Sequence, residues 1–354
     1  MSSLLRSRFA SVAGGTARRQ WIRTPLASGG SLRLKPYSTG GGKESPLNAD
    51  KQPGKTGVQP AYGPIGVTAA LKSSPNDPAP SPTLFSREFS LADRVALVSG
   101  GNRGIGLELA LALVEAGARA VYCVDLAKGP SDEWNAVQQY AKKLGSSGKT
   151  GGEGRLEYVQ GNVTNQDEIW KISKAIGDTE GRLDACVAAA GVFPEQNDCL
   201  SYSAAEHRQV MDVNVNGVLF TAQAAGQQME RFGNGGSIVL IASMAGSISL
   251  QGLSAIPYNT SKSAVIQMAR SMACELGPRK IRVNSLSPGY IYTNLTAAVF
   301  EQYPEVLPMW EGQNPLGRIG RPDELRGVVT WLASDASTFC TGSDIIVSGG
   351  HTAW

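Results

Sequence analysis

The sequence predicts an α/β fold in which a doubly wound parallel sheet is covered by helices on both faces, within one domain spanning residues 89–354. From residue 89 onward, short apolar segments of strand length alternate with longer segments of helical periodicity. Because parallel strands need crossover connections, this repeated order indicates a parallel sheet flanked by helices. A glycine-rich turn between the first strand and the first helix is a second observation that favours this class.

The elements follow one another at regular spacing, and no internal repeat is present. Strands are predicted over 94–98, 120–124, 156–159, 185–189, 237–241, 282–285 and 344–347. Helices are predicted over 104–115, 133–144, 166–176, 206–232, 258–276 and 323–332. The chain of 354 residues is long enough for this domain to bury a large core.

The first forty residues differ in composition from the rest. They hold seven basic residues and no acidic one, and Leu4, Leu5 and Phe9 alternate with Arg6 and Arg8. This pattern is typical of a mitochondrial presequence, and we expect cleavage near Tyr37/Ser38 and a location in the matrix. A disordered basic tail on a cytoplasmic protein is the alternative.

Residues 41–88 form the predicted linker. Eight prolines lie there among Gly, Ser, Lys and Asn, without helical or alternating periodicity. Too little apolar surface is available to offset the entropy of ordering the chain, so we expect disorder.

Composition excludes several classes of function. Removing the seven N-terminal cations from 33 leaves 26 basic against 30 acidic residues, a net charge of about −4, so nucleic acid is not an expected partner. The longest apolar runs, 118–126 and 185–193, are far shorter than the roughly 18 residues of a membrane span, so we expect no insertion. Five scattered cysteines and two histidines indicate no disulfide framework and no metal site.

The turn after the first strand carries the spacing Gly100, Gly104 and Gly106. Glycines let the backbone turn tightly and approach a pyrophosphate, while the following helix offers free N–H groups to the phosphate charge. The placement between strand and helix is the context that this motif requires. A Rossmann dinucleotide site is therefore predicted, with Asn102, Arg103 and Ile105 completing the loop.

Asp125 and Arg103 give opposing indications about the cofactor. A carboxylate at the end of the second strand can accept hydrogen bonds from the adenosine ribose hydroxyls and would repel a 2′-phosphate, so Asp125 favours NAD. The cation of Arg103 could meet that phosphate and favours NADP. We expect NAD, with NADP as the alternative.

Tyr258 and Lys262 are four residues apart at the start of a predicted helix, so they share one face. A nearby cation stabilises a phenolate, and we therefore expect Lys262 to lower the pKa of Tyr258. Upstream, a predicted buried strand ends at Ser243, and an Asp-Val-Asn motif places Asn214 earlier in the chain. Downstream, Ser287-Pro288-Gly289 follows a further strand.

Together and in this order, these motifs resemble the short-chain dehydrogenase/reductase family over residues 89–354. The resemblance implies that Tyr258 is the general acid/base, that Lys262 binds the nicotinamide ribose and that Ser243 hydrogen-bonds the substrate oxygen. It also implies that Asn214 supports a water relay behind Lys262. The cofactor contacts implied by the resemblance, beyond the glycine loop, are Asp125, Asn162, Val163, Ala189, Gly191, Tyr258, Lys262, Pro288, Gly289, Ile291 and Thr293.

One motif departs from the family, since its usual Asn-Asn-Ala-Gly is here Ala188-Ala189-Ala190-Gly191. Loss of two amides removes hydrogen bonds that steady the cofactor floor.

Within the family, the segment from Ile241 and the ending Gly349-Gly350-His351 resemble fungal polyol dehydrogenases of the D-arabinitol, mannitol and sorbose type. That likeness implies a hydride transfer between nicotinamide and a secondary alcohol or ketone, with a polyol or ketose such as D-arabinitol as substrate. We expect residues 294–316 to form a substrate lid and Phe193 to line the pocket. His351 is expected to pack at a subunit interface rather than contact substrate.

Three questions stay open on the sequence alone. A mitochondrial 3-oxoacyl-carrier-protein reductase is the alternative enzyme, and a non-catalytic NAD-binding scaffold is the alternative outside enzymes. The resemblance implies a homotetramer or homodimer formed through helices 206–232 and 258–276.

Overall fold

The computed structural model describes residues 63–146, 154–195, 198–293, 296–297, 300–301 and 303–354. These residues belong to one compact unit, Gln52–Trp354, while a second unit, Met1–Lys51, lies outside them. The predicted presequence, its cleavage site at Tyr37/Ser38 and linker residues 41–62 also lie outside the described residues.

A parallel sheet of seven strands forms the centre of the described part of the chain. The strands are β1 (Val95–Ser99), β2 (Ala120–Asp125), β3 (Arg155–Gln160), β4 (Ala185–Ala188), β5 (Gly236–Ile241), β6 (Ile281–Pro288) and β7 (Asp344–Val347). Their order across the sheet is β3-β2-β1-β4-β5-β6-β7, with every pair parallel. The strand order reverses direction between β1 and β4, which creates the crevice where open sheets of this kind bind ligands.

Helices cover both faces of the sheet, which confirms the predicted fold class. They are α1 (Gly66–Lys72), α2 (Gly104–Glu115), α3 (Asp132–Ser146), α4 (Gln166–Glu180), α5 (Ala204–Met211), α6 (Val218–Phe232), α7 (Ile256–Leu276), α8 (Val306–Gly312) and α9 (Arg326–Ala333). One apolar core joins the sheet to α2, α3 and α9, and a second joins it to α4, α6 and α7. Strand β1 has every residue buried between these two cores, as expected of a central parallel strand.

The helix predicted over 206–232 is interrupted in the structure. A capping box between Ser203 and Glu206 starts α5 two residues earlier, and the segment Asp212–Gly217 then adopts π-helical geometry before α6 begins. Periodicity continues through the interruption, and so the sequence pattern does not reveal it. Such π-segments are often found at functional sites.

The described part of the linker contains a short helix that the sequence pattern did not predict. Helix α1 consists of Gly66–Lys72, and none of its residues is buried. Its core of Ala69, Ala70 and Leu71 has high helix propensity, which explains the local structure without tertiary support. A helical turn at Leu84–Glu88 follows before the domain begins. Across the described ranges, no helix combines the length and apolar character of a membrane span.

Candidate active site

The glycine turn between β1 and α2 has the conformation that the sequence predicted. Gly100 and Gly104 have φ values of +68° and +58°, which favour glycine. At Gly106 a Cβ atom would lie 2.1 Å from the carbonyl oxygen of Gly100, so the close packing of turn and helix admits no side chain there. Helix α2 begins after Arg103 without a side-chain cap, which leaves its first N–H groups available to an anion.

Asp125 ends β2 beside this turn. Its Oδ2 accepts a hydrogen bond from the Asn102 N–H at 3.2 Å, and its Oδ1 accepts one from the Ala127 N–H at 3.4 Å. Asn102 is held in turn, because its Oδ1 accepts from the N–H of Ser131 at 2.8 Å. The Arg103 side chain is exposed, directly before the first residue of α2. The structure therefore brings both residues that bear on cofactor choice to the same turn.

Asn162 and Val163 follow β3 on the same side of the sheet. The Asn162 Oδ1 accepts from both the N–H and the hydroxyl of Thr164, at 3.0 and 2.9 Å, so this side chain is engaged in its own turn. Val163 is buried against Gly217, where a Cβ would lie 2.7 Å from its Cγ2. Of these two residues, Val163 is the one that can make apolar contact with an adenine ring.

Ser243, Tyr258 and Lys262 come together at the end of β5. Ser243 directly follows Ala242 after the strand and accepts a hydrogen bond from the Ala245 N–H at 3.2 Å. Its side chain also lies close enough to the phenol of Tyr258, on the first turn of α7, to oppose the rise of the Tyr258 pKa. One turn further, Lys262 places its Nζ 5.5 Å from the centre of the Tyr258 ring and donates to the Ile241 carbonyl at 2.9 Å.

The expected lowering of the Tyr258 pKa by Lys262 was wrong for this structure. Burial raises the pKa of Tyr258, and the hydrogen bond to Ser243 opposes that rise in part. Burial also lowers the pKa of Lys262 to about 8, because desolvation disfavours the ammonium form. Desolvation is therefore the main cause of both shifts.

Asn214 lies in the π-helical segment and is completely buried. Its Oδ1 accepts from the Val192 N–H at 2.8 Å, while its Nδ2 donates to the Val192 carbonyl at 2.9 Å and to the Ser261 Oγ at 3.1 Å. A Cβ on Gly191 would lie 3.4 Å from Asn214 Oδ1 and 3.6 Å from Lys262 Nζ, so Gly191 lies beside both of these groups. Asn214 therefore joins the end of β4 to α7 beneath the Ser–Tyr–Lys group.

The altered motif after β4 retains backbone support. The N–H of Ala189 donates to the Ser99 carbonyl at 3.2 Å, and the N–H of Ala190 donates to the Ser99 hydroxyl at 3.4 Å. Ser99 thus steadies part of the floor that the missing amides would otherwise support.

The segment after β6 returns to the glycine turn. Gly289 packs against Ser348, where a Cβ would lie 2.6 Å from its Cα, and Ile291 forms a bridge with Gly320. Thr293 Oγ1 accepts from the Thr296 N–H at 3.3 Å. One cavity is lined by Thr293 together with Gly104 of the glycine turn. The two predicted cofactor segments, including Pro288 at the end of β6, are therefore neighbours.

Aromatic side chains close the space around Tyr258. Phe193 lies with its ring 4.8 Å from that of Tyr258, and its place in the lining of a substrate pocket stays a prediction. Within the predicted lid over 294–316, the described residues include α8 (Val306–Gly312), whose Trp310 stacks on Tyr290. His351 packs edge-on against Tyr290 at 5.2 Å and lies 3.0 Å from Asn314 Oδ1. Trp310 falls within the predicted lid, whereas Tyr290 and its stacking on Trp310 were not predicted, because a single aromatic residue between elements has no periodic pattern.

The arrangement fits a dinucleotide cofactor. The uncapped start of α2 suits the pyrophosphate, and Asp125 suits a ribose. The buried Ser243 and Lys262 and the partly buried Tyr258 suit proton exchange with an alcohol oxygen.

A family model described as enoyl-(acyl carrier protein) reductase matches residues 100–352. The sorbose reductase of Schizosaccharomyces pombe is 37% identical over 264 residues, covering 74% of this chain and 97% of that protein. The ribulose-forming D-arabinitol 2-dehydrogenase of Candida tropicalis is 31% identical over 274 residues, covering 75% and 95%. The NADP-dependent mannitol dehydrogenase of Hypocrea jecorina is 32% identical over 277 residues, covering 78% and 98%.

Solved structures agree with the fold. A short-chain type dehydrogenase/reductase from Mycobacterium marinum is 36% identical with a TM-score of 0.66, covering 75% of this chain and 98% of that chain. A gluconate 5-dehydrogenase from Burkholderia cenocepacia in complex with NADP and tartrate is 29% identical with a TM-score of 0.65, covering 75% and 98%.

Proposed function

Because the chain belongs to the short-chain dehydrogenase/reductase family, we propose that it is a polyol 2-dehydrogenase of the D-arabinitol kind. It is a nicotinamide-dependent oxidoreductase that moves a hydride between the cofactor and a secondary alcohol or ketone. The observation that carries the proposal is the meeting of Ser243, Tyr258 and the buried Lys262, whose Nζ lies 5.5 Å from the Tyr258 ring, at the edge of the sheet that also holds the glycine turn.

Tyr258 exchanges the proton in this reaction. Nicotinamide, when bound, supplies the hydride acceptor or donor at its C4. Because burial raises its pKa, the phenol is protonated at neutral pH and acts as the acid when a ketone is reduced. In the oxidative direction the phenolate takes the alcohol proton, so the oxidation rate should rise with pH. Ser243 donates to or accepts from the same substrate oxygen and fixes its position.

Lys262 and Asn214 support this proton exchange. The Lys262 ammonium binds the nicotinamide ribose hydroxyls, and its hydrogen bond to the Ile241 carbonyl fixes its direction. Asn214 holds the loop at Gly191 and Val192 in place, and a water relay behind Lys262 would start from this segment.

We propose that NAD is the preferred cofactor. Support comes from Asp125, whose carboxylate lies at the glycine turn, whereas Arg103 is exposed beside it. Relatives that use NADP share the fold, so the family alone does not decide the choice.

Replacing Asp125 by Asn tests this assignment at nearly constant volume. The ratio of kcat/KM for NAD to that for NADP should fall about tenfold or more, because the variant no longer repels a 2′-phosphate. Arg103→Gln is the paired variant and should raise the same ratio. A wild-type enzyme that prefers NADP would contradict the assignment.

The relatives named above support a polyol or ketose rather than a carrier-bound acyl group. The full chain should oxidise D-arabinitol, mannitol, xylitol or sorbitol with NAD, and Tyr258→Phe should abolish that turnover. Reduction of a 3-oxoacyl thioester with NADPH, without polyol activity, would establish the alternative enzyme. Cofactor binding without any turnover would establish the scaffold.

Two further proposals concern the cell and the assembly. The acid-free N-terminus supports import into the mitochondrial matrix, and a fluorescent fusion of residues 1–40 should locate there.

Helices α5, α6 and α7 are proposed to form the interface of a homotetramer or homodimer. Light scattering on the purified chain measures the oligomeric state.

A further inference from the structure

Four aromatic rings form a wall beside the Ser–Tyr–Lys group. The rings of Tyr290 and Trp310 stack at 4.0 Å with an angle of 4° between their planes. Phe300 meets the Trp310 ring edge-on at 5.4 Å, and His351 meets the Tyr290 ring edge-on at 5.2 Å. We call these four side chains the aromatic wall.

The aromatic wall is continuous with the reacting group. Tyr290 and Trp310 belong to one buried cluster with Met244 and Ala245, the two residues that directly follow Ser243. The ring of Tyr258 packs against the same cluster. The aromatic wall is therefore the neighbour of any molecule whose oxygen bonds Ser243 and Tyr258.

Polar atoms of the wall lack partners. Among the described residues, the Tyr290 hydroxyl, the Trp310 Nε1 and the Gln313 Oε1 are buried without a hydrogen bond. Buried polar groups in proteins are almost always paired, so two such atoms in the aromatic wall and a third on Gln313, directly after α8, require an explanation. They include a donor-only indole, an acceptor-only amide oxygen and a hydroxyl that does both. That set matches a chain of alcohol groups, each of which donates and accepts.

Among the described residues of this cluster, none is a lysine or arginine that could bind a carboxylate. His351 has its pKa lowered by burial and is neutral at neutral pH. Arg318, which adjoins Ile319 of the cluster, is paired with Glu324 at 2.6 Å. Burial raises the pKa of Tyr290 to about 12, so its hydroxyl is protonated and uncharged. An uncharged ligand is favoured over a sugar acid.

We propose that the Tyr290 hydroxyl and the Trp310 indole N–H determine specificity by hydrogen-bonding the hydroxyls of an uncharged polyol beyond the carbinol that reacts. This inference rests on the proposed function and assigns a binding role to two residues outside the Ser–Tyr–Lys group. Both atoms are closed to solvent, so side chains packed around them must shift for a substrate hydroxyl to reach them.

Tyr290→Phe and Trp310→Phe test the proposal, since each deletes a polar atom and keeps an aromatic ring. The readout is the ratio of kcat/KM for D-arabinitol to that for 2-pentanol, which has one secondary alcohol on a five-carbon chain. Each variant should lower this ratio about tenfold or more, because a lost hydrogen bond in a buried site weakens only the ligand that made it. Tyr140→Phe on α3, half exposed, is the matched control and should leave the ratio unchanged.

A second experiment measures substrate binding in the absence of turnover. In the inactive Tyr258→Phe background with NAD bound, adding Tyr290→Phe should weaken D-arabinitol binding about tenfold, as measured by calorimetry. Thermal unfolding of Tyr290→Phe should be no earlier than that of the wild type, because the deleted hydroxyl has no partner to lose. D-gluconate should be oxidised far less efficiently than D-arabinitol.

The outcomes separate the two proposals. If the wild type oxidises polyols while both ring variants change arabinitol and pentanol efficiency equally, or leave the ratio unchanged, the aromatic wall is structural and this inference is wrong. Preference for gluconate over neutral polyols would overturn it as well. Absence of any polyol oxidation by the wild type would instead refute the proposed function.

Discussion

Lys262 carries its ammonium group into the protein interior, where 4% of its surface is exposed and the Ile241 carbonyl is its hydrogen-bond partner. Burial lowers its pKa to about 8 from an ordinary 10.5. Between those two values the unfolded chain keeps the proton and the folded chain loses it, so folding becomes more favourable as pH rises. At pH 7 the buried charge costs on the order of 3 kcal/mol of stability.

We expect Lys262→Met to remove this pH dependence. In the absence of cofactor, the stability of the variant relative to the wild type should be highest below pH 8. That difference should shrink by about 2–3 kcal/mol as pH approaches 10.5. Urea unfolding of both proteins across this range measures it. A difference that is constant with pH would mean that Lys262 is not buried as a cation.

Gly106 is fixed by its neighbour rather than by its own backbone conformation. Its φ is not positive, but a Cβ would lie 2.1 Å from the Gly100 carbonyl oxygen, an atom of the backbone that cannot rotate away. The tight turn that offers N–H groups to an anion depends on this approach.

Gly106→Ala should therefore move the turn, weakening NAD binding more than tenfold and lowering the free energy of unfolding by about 2 kcal/mol. The matched control is Gly327→Ala on α9, where nothing lies within 4 Å of the added atom. That control should stabilise the protein by about 0.5–1 kcal/mol and leave NAD binding unchanged. Equal effects of the two substitutions would argue against the packing explanation.

At the scale of elements, the π-helical segment Asp212–Gly217 connects three parts of the site. Asn214 joins it to Val192 after β4 and to Ser261 on α7, while Gly217 admits Val163 from the end of β3. Sequence periodicity predicted one continuous helix here, because the helical pattern of apolar residues continues through the π-helical segment.

Asn214→Ala should destabilise the fold by about 2 kcal/mol and lower kcat, because both backbone groups of Val192 lose their partner and the loop before Phe193 loosens. Asn216→Ala, whose side chain bonds only the exposed Asp212, should change stability by less than about 0.5 kcal/mol. Chemical unfolding and steady-state kinetics of both variants give the comparison. A loss of stability without any change in kcat would limit Asn214 to a structural role.

At the scale of the whole molecule, the alternation of strands and helices predicted the sheet and the two helical layers, because burial of a parallel sheet on both faces requires short, mostly apolar strands. The glycine turn and the Tyr258–Lys262 pair were predictable since local spacing fixes them. The direction of the Tyr258 pKa shift was not predictable from the sequence, because it depends on how far distant segments bury the phenol. The pairing of Tyr290 with Trp310 joins positions twenty residues apart and needed the three-dimensional structure.

The same limit applies to the aromatic wall and to the polyol assignment. The acid-free N-terminus is visible in the composition, whereas the proposed aromatic wall is assembled from the segment after β6, α8 and the C-terminus. The proposed specificity therefore depends on the folded molecule rather than on any one motif.

Transfer of deuterium from a labelled substrate tests the central claim most directly. The full chain would be incubated with D-arabinitol deuterated at C2 and with NAD, and the reduced cofactor analysed by mass spectrometry. Hydride transfer predicts one deuterium at C4 of the nicotinamide, formed by the wild type and lost with Tyr258→Phe. A reduced cofactor without deuterium, or turnover that survives Tyr258→Phe unchanged, would contradict the proposed mechanism.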